Sequence, residues 1–306
     1  MVFFSSLLNS LPGAAAQGLV WGIMAIGVYL SFRILDFADL TVDGSIATGG
    51  AVCVMLMRNG WSPIPALLCA FLAGVLAGLA TGLLHTRCGI PPILSGILTQ
   101  LALYSINLRI LGGRSNQALG VDKYPLLISQ RYVRELNFSN PLPLLLFITA
   151  LLILLLYWFF GTEYGAGIRA TGANSNMARA QGINTNRNTV VCLMLSNGFV
   201  ALAGGFLAQY QGAADVSMGR GAIVIGLAAV IIGEVVFGKF FTNFSLKLAA
   251  VSIGSIIYYF VLQVVLQLGL NTNDLKLLSA LLVALFLAIP HFRSKIAGKK
   301  GAHRNA

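Results

Sequence analysis

Long apolar runs recur along nearly the whole of this 306-residue sequence, and they constrain its fold more than any other feature. Hydrophobic residue types make up 57% of the chain and charged types 9%, a composition typical of proteins that cross a membrane many times. The runs are continuous, with scattered glycines. Because the backbone must satisfy its own hydrogen bonds in lipid, continuous runs predict helices rather than a transmembrane barrel. The predicted fold class is therefore an all-α polytopic transmembrane bundle.

A hydrocarbon core of about 30 Å needs about 20 apolar residues per helix. Windows of that length predict nine spans within a single transmembrane domain over residues 1–306. The predicted spans are 12–32, 44–60, 63–85, 90–112, 141–160, 189–211, 218–238, 246–268 and 275–291. Glycines recur four residues apart in the first and third spans, which predicts helix faces packed closely against neighbours. These glycines are Gly18 and Gly22, and Gly74, Gly78 and Gly82.

Basic residues give the chain a net charge of +11 and predict its orientation. In a soluble protein this charge would suggest nucleic acid as a partner. Here the basic residues lie in loops and in the C-terminal tail, so we expect no nucleic-acid partner. Their clusters place the tail and a central polar segment in the cytoplasm, and nine spans then place the N-terminus outside. No Lys or Arg precedes Arg33, which argues against a cleavable signal peptide.

Residues for catalysis or metal binding do not form recognisable groups in the sequence. The four cysteines have no paired spacing, the three histidines do not cluster, and no Walker A, HExxH or GxSxG pattern is present. The sequence therefore predicts neither an enzyme nor a metal site.

A short internal repeat accompanies two of the predicted spans. ADLTVDG at 38–44 and ADVSMGRG at 214–221 share the pattern A-D-[LV]-[ST]-[VM], followed by a turn that contains glycine. The predicted topology places the two copies on opposite sides of the membrane, as in transporters built from inverted repeats. Their polar residues are candidates for lining a translocation pathway: Asp39, Thr41, Asp43, Asp215 and Ser217. Alternatively, these side chains only cap helix starts, and the two roles are compatible.

The segment 163–188 is a polar, helix-forming island between two long apolar runs. Within it, Asn174 is placed to cap a helix over 175–181, and Gly182 supplies the left-handed residue expected after its end. A helix of about two turns is marginal in water, so it must be held by packing. Met177 and Arg179 would give such a helix an apolar and a basic side. The alternative is an ordinary surface loop.

The island also carries a family resemblance. Its sequence RATGAN at 169–174, followed by alanines and the pair Gly182 and Ile183, resembles the signature R-A-x-G-x-N-x(3)-A-x-A-x-G-I. This signature is found in permease subunits of ATP-binding-cassette importers of the branched-chain amino acid and ribose type. In that family it forms the coupling helix, which sits in a groove of the ATPase subunit. The resemblance assigns ATPase coupling to Arg169, Gly172, Asn174, Ser175, Asn176, Met177, Ala178, Arg179, Ala180, Gln181, Gly182 and Ile183.

Further segments extend the resemblance over residues 40–235. DLTVDGS at 39–45 is similar to the D-L-S-V-G-S segment of the sugar-type members, in which Asp43 is an added residue. ALAGG at 201–205 and GLAAVIIG at 226–233 are similar to the A-L-A-G and A-x-A-A-V-x-x-G-G blocks of the second half. QYQG at 209–212 and IVIG at 223–226 look most like a less-characterised branch often assigned to tryptophan, tyrosine or related solutes. The nine predicted spans are one fewer than in the ten-span members of the family, so we expect this chain to lack their first N-terminal span.

The resemblance implies the transmembrane permease of an ATP-driven importer for an amino-acid-like solute in the bacterial inner (plasma) membrane. The implied partners are the lipid bilayer, an ATP-binding-cassette ATPase, an extracytoplasmic solute-binding protein and a second permease copy, as a homodimer or with a sister permease. The permease itself binds no cofactor, because ATP and Mg²⁺ belong to the ATPase. Basic residues of the outer loop 113–140 are candidates for docking the binding protein: Arg114, Lys123, Arg131 and Arg134.

An ion-gradient-driven secondary transporter is the main alternative. Such a transporter would need a carboxylate deep within a span, and Glu234 is the residue that comes nearest to this requirement. A non-transporting membrane scaffold is a further alternative. The sequence does not name the solute.

Overall fold

The computed structural model describes residues 2–120, 123–133, 140–238 and 240–267, together with 277, 280, 281, 283–285 and 288. Its helices are α1 (Val2–Tyr29, continued by a π-helical turn, Leu30–Ile34), α2 (Val42–Arg58), α3 (Pro63–Thr86), α4 (Pro92–Ile110), α5 (Pro141–Gly161), α6 (Glu163–Ala173), α7 (Ser175–Ala180), α8 (Thr185–Gln211), α9 (Ala222–Phe237) and α10 (Phe244–Gln267). Two short strands, β1 (Asn116–Ala118) and β2 (Ala213–Asp215), and a 3-10 turn, Gln130–Tyr132, lie between helices. Arg134 and most of the predicted span 275–291 lie outside the described residues.

Six helices in the described part of the chain are long and apolar enough to cross a membrane. They are Ser10–Ile34, Pro63–Thr86, Pro92–Ile110, Pro141–Gly161, Thr185–Gln211 and Phe244–Gln267. The predicted all-α bundle is confirmed. Helices α2 and α9 are shorter, with 17 and 16 residues, and each follows a non-helical segment. The count of nine spans therefore stays a prediction.

Helix α8 lies at the centre of the bundle and contacts α1, α2 and α3. Small residues let these backbones approach closely, as the glycine spacing predicted. A Cβ added to Gly74 would lie 2.2 Å from the Asn197 carbonyl oxygen, and one added to Gly78 would lie 2.2 Å from the Leu193 carbonyl oxygen. The face of α3 that carries its glycines is therefore the face that packs on α8.

The glycines of α1 pack in the same way against α10. A Cβ added to Gly18 would lie 2.7 Å from the Ile256 Cα, and one added to Gly22 would lie 2.8 Å from the Ser255 Oγ. The Ser255 hydroxyl donates a hydrogen bond of 2.6 Å to the Gly18 carbonyl oxygen. Both predicted glycine faces are thus buried against neighbouring helices.

Strands β1 and β2 form an antiparallel ribbon that the sequence did not predict. Asn116 pairs with Asp215 and Ala118 with Ala213, so the ribbon joins the segment after α4 to the segment after α8. The ends of the bundle can be named from α8, which runs from the island to the ribbon. Its start marks the island end and its finish marks the ribbon end.

Exposed apolar side chains form stripes on the outer helices. On α3 they recur every fourth residue, at Ile64, Leu68, Leu72 and Leu76, each with more than half of its surface accessible. Side chains four apart share one face of a helix, so this is a continuous apolar face. Exposure of such a long apolar face to water is unfavourable, whereas exposure to lipid is not, so this face is suited to contact with lipid.

The close contact at Gly78 predicts a large effect of a single methyl group. Gly78→Ala forces α3 away from the Leu193 carbonyl oxygen, and overpacking of this kind typically costs about 1–3 kcal/mol. Gly161→Ala is the matched control, since no atom lies within 4 Å of the added Cβ there. The free energy of unfolding of both variants is measured in mixed detergent micelles. Equal stability of the two would contradict the packing described for α3 and α8.

Candidate functional site

The island folds as two consecutive helices, α6 and α7. The Asn174 side chain caps α7 by accepting a hydrogen bond of 3.0 Å from the Met177 backbone N–H, and Gly182 follows the helix with a φ of 79°. The predicted capped helix is therefore confirmed, although α7 ends at Ala180 rather than at residue 181. The loop alternative is wrong. Helix α6 was not predicted as a separate helix.

The surface of α7 has one buried and several exposed positions. Ala178 faces the bundle and is 3% exposed, whereas Met177 is 64% exposed. Arg179 is exposed as well, and its Nε donates a hydrogen bond of 2.8 Å to the Thr185 Oγ1 at the start of α8. Met177 and Arg179 are thus available to a partner on a helix that Ala178 anchors.

Gly172 allows the backbone of the island to pack directly against the end of α1. A Cβ at this position would lie 1.8 Å from the Ile34 carbonyl oxygen, so only glycine allows the contact. On the other side of the island, the Asn188 amide of α8 donates a hydrogen bond of 3.2 Å to the Thr171 Oγ1. The two contacts hold the island against the π-helical end of α1 and against α8.

A polar cluster surrounds the first copy of the internal repeat. The Asp39 Oδ1 accepts a hydrogen bond of 2.9 Å from the Thr41 backbone N–H, and its Oδ2 accepts one of 2.6 Å from the Asn197 amide. The Ser45 hydroxyl donates to the Asn197 Oδ1 at 2.6 Å. Asn197 is residue 13 of the 27 in α8, so Asp39 lies beside the middle of a membrane-length helix. Asp39 was expected at an end of the second span, and Asn197 was missed.

The second copy of the repeat has the same local geometry. The Asp215 Oδ1 accepts a hydrogen bond of 2.7 Å from the Ser217 backbone N–H, and its Oδ2 accepts one of 3.4 Å from the Asn116 amide. Each copy thus combines a turn closed by its aspartate with one asparagine donor from another helix or strand. Asp215 belongs to the ribbon and Ser217 follows it, whereas Asp39 is 2% exposed within the bundle.

The two copies meet at Asp43. Its Oδ2 accepts a hydrogen bond of 2.9 Å from the Gly221 backbone N–H and its Oδ1 accepts one of 3.0 Å from that of Ile223. Gly219 also touches the Asp43 backbone, because a Cβ there would lie 2.0 Å from the Asp43 carbonyl oxygen. The first copy follows the end of α1 beside the island and the second follows the ribbon, so the expectation that they lie on opposite sides of the membrane stays a prediction. Each copy leads into the bundle, where α2 and α9 begin next to each other.

Asp43 places a negative charge where two helix dipoles point their positive ends. It lies in the first turn of α2, and its carboxylate binds the first backbone N–H groups of α9. The first N–H groups of a helix have no partner within the helix. A carboxylate at a helix N-terminus stabilises it by about 0.3–1 kcal/mol, and by up to about 2 kcal/mol when partly buried. We call this contact the Asp43 clasp.

Thr41 belongs to a chain of buried hydroxyl groups rather than to an open channel. Its Oγ1 lies 2.7 Å from the Thr81 Oγ1, which donates to the Thr99 Oγ1 at 3.0 Å. All three side chains are at most 5% exposed. The contacts of Asp39 and Thr41 are those of turn closure and helix packing. Thr41 is the N-cap residue of α2 but makes no side-chain cap hydrogen bond, so the capping and pathway roles both stay predictions.

The predicted docking residues lie around the ribbon end. Arg114, Lys123 and Arg131 are exposed, whereas Arg134 lies outside the described residues. Arg58 at the end of α2 joins this group and hydrogen-bonds the Gln117 side chain of the ribbon. A cavity of about 450 Å³ opens beside Arg131. Arg58 was not predicted as a member of this group, because its contact with Gln117 exists only once the ribbon has formed.

Comparison with known proteins identifies the family. The model of a family described as branched-chain amino acid transport system / permease component matches residues 10–290. The chain belongs to this permease family. The match covers the island, both copies of the repeat and the central helix α8, so the predicted family assignment is confirmed.

The permease is also similar to individual proteins. It is 39% identical over 281 residues to the tyrosine transport system permease protein of Clostridioides difficile, covering 92% of this chain and 91% of the relative. It is 32% identical over 284 residues to an uncharacterised protein of Rickettsia prowazekii, covering 92% of this chain and 97% of that relative. It is 31% identical over 209 residues to the autoinducer 2 import system permease protein LsrC of Yersinia pseudotuberculosis, covering 66% and 55% respectively. No solved structure matches the permease.

The Asp43 clasp predicts a stability difference between two aspartates of the repeat. Asp43→Asn removes the charge and leaves one backbone N–H facing an amide NH₂, which should cost the permease about 1–3 kcal/mol of unfolding free energy. Asp215→Asn is the matched control, because Asp215 accepts hydrogen bonds from the exposed Ser217 and from Asn116 of the ribbon but binds no helix N-terminus. The free energy of unfolding of both variants is measured in mixed detergent micelles. Equal losses of unfolding free energy in the two variants would contradict a stabilising role of the Asp43 clasp.

Proposed function

We propose that this chain is the transmembrane permease of an ATP-driven importer, forming one transmembrane domain of nine spans over residues 1–306. The observation that carries the proposal is the capped helix α7, which presents Met177 beyond the end of the bundle in a member of a transport permease family. ATP binds and is hydrolysed on a separate ATPase subunit. The island end lies in the cytoplasm, and the ribbon end and the N-terminus lie outside.

A route for mechanical work follows from the contacts of the island. ATP closes a pair of ATPase subunits and moves α7 together with α6. Gly172 transmits this movement to the end of α1, and the hydrogen bond between Thr171 and Asn188 transmits it to α8. Helix α8 carries Asn197, which hydrogen-bonds Asp39 next to the Asp43 clasp. Rocking of the two inverted halves then opens the pathway alternately to each side.

The pathway is proposed to run along the region where α2 and α9 begin. Broken helices whose N-termini meet inside a bundle are a common arrangement at the solute sites of transporters. The outer copy of the repeat, with Asp215 and Ser217, would border the entrance, and the Asp43 clasp would open and close with the transport cycle. Opening of the clasp frees a carboxylate and two backbone N–H groups.

The proposed solute is an aromatic amino acid or a molecule similar to one. Support comes from the relative named as a tyrosine transport system permease, which aligns over most of both chains. A zwitterionic solute also suits the proposed pathway, because the opened clasp offers both a carboxylate and helix N-termini. A solute-binding protein delivers the solute to the ribbon end, and a second copy of the permease completes the pathway.

An ion-gradient-driven transporter remains the second candidate, and one observation favours it. Asp39 is a carboxylate beside the middle of a membrane-length helix, a place where protons or sodium ions are coupled in secondary transporters. Glu234, the residue considered for this role from the sequence, instead forms an ion pair of 2.8 Å with Arg33.

Met177 tests the ATPase contact. Met177→Asp puts a charge on the apolar surface that would enter the ATPase groove, so stimulation of ATP hydrolysis by the permease should fall to the level of the ATPase alone. Met177→Leu, which keeps an apolar side chain of similar volume, should retain coupling. Hydrolysis and solute uptake are measured in proteoliposomes both with ion gradients imposed and with ion gradients collapsed. Uptake that survives Met177→Asp and requires a gradient would instead support the secondary transporter.

Charge reversal tests docking at the ribbon end. Arg114→Glu should slow association of the solute-binding protein, by roughly threefold at low salt, because exposed basic residues steer an acidic partner. The difference from the unmodified protein should shrink at high salt. Lys247→Glu, an exposed basic residue near the start of α10, is the control and should leave association unchanged. Association rates from surface plasmon resonance that respond equally to both variants would place docking elsewhere.

A further inference from the structure

A cavity of about 460 Å³ opens at the island end, and none of its lining residues was assigned to the proposed solute pathway. Three parts of the chain form its walls: the connection from α1 to α2, the end of α3 with the start of α4, and the island with the start of α8. Its volume lies within the range of sites that bind small molecules. A ligand there would contact segments that the sequence separates by more than 100 residues.

The described lining residues of this cavity include one carboxylate and one guanidinium, on Asp36 and Arg179. His85 and several hydroxyl and amide groups make up most of the remaining polar lining. A simple anion would be attracted by Arg179 and repelled by Asp36, and a simple cation would experience the reverse. The pair of charges therefore favours a ligand that carries both signs.

Asp36 has an unusual backbone for a residue with a side chain. Its φ is 56°, in the left-handed region, and it is the one such non-glycine residue in the described part of the chain. Residues held in this region cluster at ligand sites and switches. Asp36 is exposed, and among the described residues no hydrogen bond or ion pair occupies its carboxylate. The carboxylate is thus available to a ligand.

Arg179 is positioned in advance for a carboxylate ligand. Its Nε is held by the Thr185 Oγ1 at 2.8 Å, which fixes the plane of the guanidinium beside the start of α8. The two terminal amino groups remain for a bidentate contact, the geometry in which arginine binds carboxylates most strongly. A side chain already restrained loses less conformational entropy when it binds.

We propose that this cavity binds the zwitterionic head of an α-amino acid from the cytoplasm, with the ammonium group at Asp36 and the carboxylate at Arg179. The proposal rests on the proposed function, because an importer of amino-acid-like solutes accumulates such molecules on this side. Recognition of the head group leaves the side chain of the amino acid to face the open part of the cavity.

A bound amino acid would act on coupling. Arg179 belongs to α7, two residues after Met177, and Asp36 follows the α1 end on which Gly172 is seated. The ligand would therefore hold α7 at a fixed distance from the ends of α1 and α3. Since ATP-driven movement of α7 must change these distances, occupancy of the cavity would slow transport when the imported solute has accumulated.

Binding to the purified permease, without ATPase, tests the site directly. L-tyrosine should bind to the permease in nanodiscs, measured by calorimetry, and Asp36→Asn or Arg179→Gln should each weaken binding about tenfold. Tyramine, which lacks the carboxylate, should be insensitive to Arg179→Gln, and 3-(4-hydroxyphenyl)propionate, which lacks the ammonium group, should be insensitive to Asp36→Asn. Glu163→Gln, an exposed carboxylate of α6 outside this cavity, is the control and should not alter binding. Absence of L-tyrosine binding, or binding that neither cavity variant weakens, overturns the proposal.

Transport by the complete importer provides the second measurement. L-tyrosine on the ATPase side of proteoliposomes should lower ATP-dependent uptake by the unmodified importer, and Asp36→Asn should abolish this inhibition while keeping uninhibited uptake. ATP-dependent uptake without such inhibition would overturn this inference and leave the proposed function intact. Absence of ATP-dependent uptake would overturn the proposed function, whereas the binding measurement would still decide the cavity.

Discussion

The carboxylate of Asp43 binds backbone N–H groups at the start of α9, where two helices of 17 and 16 residues begin inside the bundle. Helices α2 and α9 start next to each other, and the first N–H groups of a helix have no partner within it. Lipid supplies no hydrogen bonds, so these groups need protein acceptors. Asp43 accepts from Gly221 and Ile223. The second copy of the repeat depends on this contact, because the segment that leads to α9 ends inside the bundle, where Asp43 supplies the acceptor for the start of that helix.

The central helix α8 connects this contact to the island. Its first turns hold the island through Asn188, and its middle holds the first copy of the repeat through Asn197. Glycines of α3 bring that helix onto the same region of α8, so the polar cluster is enclosed by close backbone packing. An island moved by a partner would therefore act on α1 and α8 together.

Much of the island could be predicted because its signals are local. An asparagine before a helix and a glycine after it specify the helix ends through hydrogen bonds and backbone conformation within a few residues, and α7 follows them. The glycine faces of α1 and α3 were also predicted, since spacing of four residues defines one side of a helix. The ribbon, the depth of Asp39 and the partner Asn197 were missed, because each depends on residues more than 90 positions away.

The sequence by itself determined that the chain is a multi-pass helical membrane protein of a permease family with a capped helix in its central polar island. These properties follow from composition, from hydrogen bonding in lipid and from short motifs. Only the tertiary structure decided that the two copies of the repeat meet at Asp43, that α2 and α9 are short helices with adjoining starts, and that Asp36 and Arg179 line one cavity. Hydropathy records how apolar a segment is, but the path of a non-helical segment that enters the bundle depends on which distant backbone and side-chain groups form its hydrogen bonds.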